Sequence, residues 1–146
     1  MNMNRRSVHL VLGLMAALAV PGVSSPSAGD GPALGIELNN AEQTGKACRL
    51  SFLFANKLGA GLEKLSMQIV VFGKDERIRN LVTLSAGALP RDKRRVRQFD
   101  LPGTDCGEVA RILLNDLPAC EGAGIEAGSC MTRLEISNRS AIEFVL

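Results

Sequence analysis

The residues best able to form covalent bonds in this 146-residue chain are four cysteines, Cys48, Cys106, Cys120 and Cys130. Four cysteines allow three pairings. Spacing favours Cys48 with Cys106 and Cys120 with Cys130. The second pair closes a short glycine-rich loop, 121–129. The first ties two distant segments, which restricts the unfolded chain most. A four-cysteine zinc site usually uses short Cys-x-x-Cys pairs, and a redox-active pair needs the same spacing. The sequence has no such pair, so no metal ligand and no cofactor are assigned. The single histidine, His9, lies in an N-terminal leader. Ser-His-Asp and Cys-His arrangements are therefore unavailable to the remainder. Asp100, Asp105, Glu108 and Asp116 have the right type for a two-carboxylate hydrolase. Their settings read as turn residues and strand caps instead, so no catalytic residue is assigned.

The densest charge feature is Arg91-Asp92-Lys93-Arg94-Arg95-Val96-Arg97. Arg94, Arg95 and Arg97 are the candidate partner-binding residues, suited to an acidic protein or to an anionic membrane or wall surface. The ordinary role of such a run is a solvated turn and an edge strand, where cations deter edge-to-edge association. Nucleic acid is not expected, because few aromatics accompany the run for base stacking. There is no Trp or Tyr to form a sugar platform.

These groups need a framework, and the apolar pattern supplies one with a period of two. Strands are expected over 33–39, 47–55, 65–72, 78–85, 94–101 and 109–115. On the second, Cys48, Leu50, Phe52 and Phe54 share a face. On the third, Leu65, Met67, Ile69 and Val71 do. Val96, Phe99 and Leu101 are not all on one parity, which makes room for a bulge. Leu53 and Phe72 fall opposite the main apolar faces; they either form an exposed patch or pack under the C-terminal tail, and the tail is the expected place. Residues 124–133 have room for a short helix around Cys130, and Ile142–Leu146 reads as a strand. Regular strands and turns point to a mainly β fold, an antiparallel immunoglobulin-like sandwich with a short disulfide-tied C-terminal extension. In such a sandwich the second and sixth strands begin at the same end, where Cys48 and Cys106 can meet.

The leader reads as an export signal, residues 1–29. Arg5 and Arg6 precede an apolar run, Leu10–Val20, too short to span a bilayer. Pro21 and Gly22 end that run, and small residues place cleavage within 24–29. The sandwich domain is assigned to 30–117 and the disulfide loop and final strand to 118–146, with no transmembrane segment after the signal. Of 17 Lys and Arg, two lie in the leader, so the mature part carries 15 basic and 15 acidic residues. That balance offers no global attraction to polyanions.

Between Ala47 and Asn115 the chain resembles the FxLYD-type immunoglobulin-like domains. The matching stretches are Leu50-Ser51-Phe52-Leu53-Phe54-Ala55-Asn56, Val70-Val71-Phe72-Gly73-Lys74-Asp75 and Gly87-Ala88-Leu89-Pro90, with Val71-Phe72 where that family has its Tyr. The whole chain resembles alphaproteobacterial exported proteins of unknown function that carry a twin-arginine (Tat) signal. Val96-Arg97-Gln98-Phe99-Asp100-Leu101-Pro102-Gly103 and Ile112-Leu113-Leu114-Asn115-Asp116 with Cys120 carry that likeness. The resemblance implies export, by the Tat or the Sec route, and a β fold; it implies no activity. The expected role is a non-enzymatic periplasmic accessory or binding module. A structural protein contacting anionic envelope components is the second reading, and a carboxylate hydrolase the third.

Overall fold

The computed structural model describes residues 33–126 and 128–146. The expected export signal, with Arg5, Arg6, His9 and the expected cleavage region, lies outside the described residues. Eight strands occur in chain order: β1 (Leu34–Thr44), β2 (Ala47–Asn56), β3 (Lys64–Gly73), β4 (Ile78–Ser85), β5 (Arg94–Pro102), β6 (Val109–Glu121), β7 (Leu134–Asn138) and β8 (Glu143–Val145). A single 3-10 turn, Cys106–Glu108, precedes β6, and a one-turn helix, α1 (Ser129–Thr132), precedes β7. The strands form two sheets of four, ordered β5-β2-β1-β7 and β4-β3-β6-β8.

Period-two patterning decides which faces meet. Cys48, Leu50, Phe52 and Phe54 of β2 are buried, and so are Leu65, Met67, Ile69 and Val71 of β3. Alternate side chains of a strand point to opposite faces, so each set forms one inner wall. Leu34, Ile36 and Leu38 of β1 and Ile112 and Leu114 of β6 complete the core. At its centre the Phe52 ring lies 6.2 Å from both Phe54 and Phe99 and meets Phe144 edge-on at 5.5 Å. This is the preferred tilted geometry of aromatic pairs.

Both disulfides form as the spacing favours. Cys48, near the start of β2, and Cys106, just before β6, have Cα atoms 5.0 Å apart and link the two sheets. Cys120, near the end of β6, bonds Cys130 of α1 with Cα atoms 6.4 Å apart. Both separations suit a disulfide.

The C-terminal part departs from the expectation. A strand at 134–138 falls outside the expected set, because its five residues Leu-Glu-Ile-Ser-Asn offer only two apolar positions, both half-buried. It pairs in parallel with β1, and β8 pairs in parallel with β6, so the sandwich is not purely antiparallel. Antiparallel neighbours in a hairpin inherit their direction from a tight turn. β7 and β8 instead each arrive from the opposite sheet, so no turn dictates their direction. The extension thus supplies one edge to each sheet, and Ile142 and Phe144 enter the core. No bulge occurs in β5, whose nine pairs with β2 run without a slip from Ala55↔Arg94 to Ala47↔Pro102. Phe99 and Leu101 face inward, whereas Val96 simply faces out and is exposed. The register shifts fall elsewhere, in β1 after Leu38 and in the β3 pairings.

Candidate functional site

The basic segment lies on β5, at the edge of its sheet. Strand parity divides its arginines. Arg94 stands with Val96, Gln98 and Asp100 on the outer face, opposite Ala55, Leu53, Ser51 and Arg49 of β2. Arg95 and Arg97 have the inward parity of Phe99 and Leu101, at the open margin of the sandwich. Arg97 Nε donates to the Ala86 carbonyl at 2.9 Å, which ties β5 to the segment entering from β4. Arg94 and Arg95 are exposed, and among the described residues no carboxylate pairs with either, or with Lys93. The three arginines therefore do not form one face. Further along the strand, Arg49 forks onto Asp100, with Nε on Oδ1 at 2.7 Å and Nη2 on Oδ2 at 3.0 Å. This bond lowers the Asp100 pKa and raises that of Arg49.

Arg94 has different company. On the outer face of the first sheet a row of register partners runs across four strands: Arg94 on β5, Ala55 on β2, Gly35 on β1 and Glu135 on β7. The next row is Val96, Leu53, Glu37 and Ser137. The two small residues make the first row a trough. A Cβ on Gly35 would stand only 3.4 Å from that of Ala55. The trough encloses about 220 Å³, with Leu53 and Glu37 on one side and Ala33 and Lys57 on the other. The Lys57 amide donates to the Ala33 carbonyl at 2.8 Å and closes that side. A second hollow of about 260 Å³, around Lys57, Lys93 and Arg94, adjoins it at the β5 edge.

The two ends of the trough differ in charge. Arg94 occupies one end, with Lys57 on the side wall nearest to it, and Glu135 occupies the other. Among the described residues, no oppositely charged side chain pairs with these three. Glu37 is committed elsewhere. It accepts from Asn39 at 2.7 Å, from Arg139 at 3.2 Å and from Ser137 at 3.3 Å. The Asn39 bond, opposed by partial burial and reinforced by Arg139, lowers its pKa. Sequence reasoning selected Arg94 but missed Gly35, Lys57 and Glu135. These residues are 22 to 100 positions apart, and only strand register brings them together.

The other nominated groups do not converge. Asp105 caps the 3-10 turn through the Gly107 amide, Glu108 faces Lys74, and Asp116 accepts from the Leu117 amide. All four cysteines are in disulfides. Among the described residues no cluster of His, Cys, Asp or Glu could hold a metal, and no helix is long and apolar enough to cross a membrane. Phe72 and Leu53 are not under the tail, because β7 and β8 extend the sheets sideways. Phe72 instead lies half-buried beneath the Arg111 guanidinium, 4.6 Å from the ring centre, with Arg111 held by Glu76 at 2.8 Å. Leu53 forms part of the trough wall. Compared with known proteins, the chain matches no family model, no curated protein and no solved structure.

Proposed function

We propose that this protein is an exported periplasmic binding module, not an enzyme, and that it receives a protein partner along the β5 edge. One observation carries the reading: nine residues of β5 pair without a slip on one side and, among the described residues, have no strand on the other. A regular edge is a template for an added strand, whose main chain supplies affinity and whose side chains supply specificity. Lys93, Arg94 and Arg95 at its start favour an acidic partner segment and guard the edge against self-pairing. The order β5-β2-β1 facing β4-β3-β6 supports the immunoglobulin-like comparison. Two disulfides and the signal-like leader support an oxidising compartment. The dispersal of the carboxylates into caps and ion pairs supports binding over hydrolysis.

A photo-crosslinking residue at Gln98, on β5, and another at Thr83, on the opposite edge strand β4, tests this in intact cells. Crosslinks to a protein from position 98, abolished by R94E/R95E, are expected. Protein crosslinks from position 83 alone, or lipid adducts alone from 98, would overturn it. Mass spectrometry of the secreted protein should find a new N-terminus within 24–29; an intact Met1 would refute export by cleavage.

A further inference from the structure

We infer that the trough across the outer face of the first sheet is a second binding site, for a short zwitterionic peptide lying across the strands. Arg94 at one end, with Lys57 on the wall beside it, suits a carboxylate, and Glu135 at the other suits an ammonium. Glu37, beside the acidic end, already accepts from Asn39, Ser137 and Arg139, the last a compensating cation, so Glu135, unpaired among the described residues, is the group left to meet a ligand.

Length follows from the sheet. Arg94 and Glu135 are separated by three strand-to-strand steps, since each is a register neighbour of the next in the series Arg94, Ala55, Gly35, Glu135. At about 4.8 Å per step this is roughly 14 Å. An extended peptide spans about 3.3–3.6 Å per residue. Four residues therefore place the terminal carboxylate at Arg94 and the terminal ammonium at Glu135. The floor permits this because Gly35 and Ala55 raise nothing above the backbone beyond one methyl. Leu53 supplies an apolar contact along the wall. This site is separate from the β5 edge, sharing only Arg94, and Glu135 and Gly35 lie on other strands.

The test is NMR titration of the isotope-labelled protein with tetra-alanine, N-acetyl-tetra-alanine, tetra-alanine amide and di-alanine. Tetra-alanine should perturb Gly35, Leu53, Ala55 and Glu135, with affinity lowered about threefold by capping either end, the scale of an exposed ion pair. Di-alanine, too short to reach both ends, should bind as weakly as the capped peptides. The variant E135Q should abolish the effect of acetylation and keep that of amidation; K57Q/R94Q, which removes both cations, should do the reverse. G35L should block the peptide while leaving β5 crosslinking intact, which separates failure of this site from failure of the edge. Equal binding of capped and uncapped peptides, no dependence on length, or perturbations confined to other surfaces would overturn the inference. So would the absence of any shift at millimolar peptide. Should G35L fail to fold, the E135Q comparison decides alone.

Discussion

Removing the Cys48–Cys106 bond should cost this protein more stability than removing Cys120–Cys130, by an amount that chain length alone sets. The bridges close segments of 58 and 10 residues. Loop-closure entropy gives about 4 kcal/mol for the longer and about 3 kcal/mol for the shorter. The difference is more secure than either value, because the constant term cancels: 1.5 RT ln(58/10), about 1.6 kcal/mol. Packing losses are similar in the two cases, since each bridge has one fully buried cysteine, Cys48 or Cys130, and one half-buried partner. The comparison is between C48A/C106A and C120A/C130A, each keeping the other disulfide, in urea unfolding followed by circular dichroism at pH 7. From a typical domain stability of about 5–15 kcal/mol these losses leave about 1–11 kcal/mol for the first variant and about 2–12 kcal/mol for the second, so both should fold and the first should unfold at the lower urea concentration. Equal losses, or a greater loss from the short loop, would refute the entropic reasoning. The Cys120 bridge would then act by holding α1 and the entry to β7 in the native state.

Four further outcomes follow from the core and the charge pairs. Asn56 is almost wholly buried; its Nδ2 donates to the carbonyls of Ala60 and Leu89, and its Oδ1 accepts from the Leu58 amide. N56A should therefore lose about 3 kcal/mol in urea unfolding, the scale of orphaned buried polar groups. N56D should weaken further as pH rises, because an ionised Asp cannot donate to two carbonyls. F52A, at the centre of the four-ring cluster, should cost about 3–5 kcal/mol, measured the same way. Glu37 has a folded pKa below its ordinary 4.5, so its stabilising contribution is present above that value and fades as pH falls through the folded pKa. E37Q should accordingly flatten the decline of stability below about pH 5; an unchanged acid limb would contradict the assignment.

The legible parts of this protein share a local cause. A strand buried on one face alternates every second residue, and β2, β3 and β4 appear in the sequence nearly to their ends for that reason. Cysteine spacing carries the pairing because Cys48 and Cys106 flank strands that begin together. β7 gives no such signal. Leu134 and Ile136 do alternate with the exposed Glu135 and Ser137, but two half-buried apolar residues in a five-residue strand are too few to mark it in the sequence. Its parallel pairing with β1 depends on where the chain re-enters the first sheet after α1. The Leu34 amide bonded to the Arg133 carbonyl marks that entry. The basic run was visible as charge, but its division between two faces depends on the slip-free register of β5 with β2. The trough was invisible for the same reason. Gly35, Ala55, Arg94 and Glu135 are unremarkable in their own segments, and become neighbours only through hydrogen bonds between strands, which order residues by register and not by position in the chain.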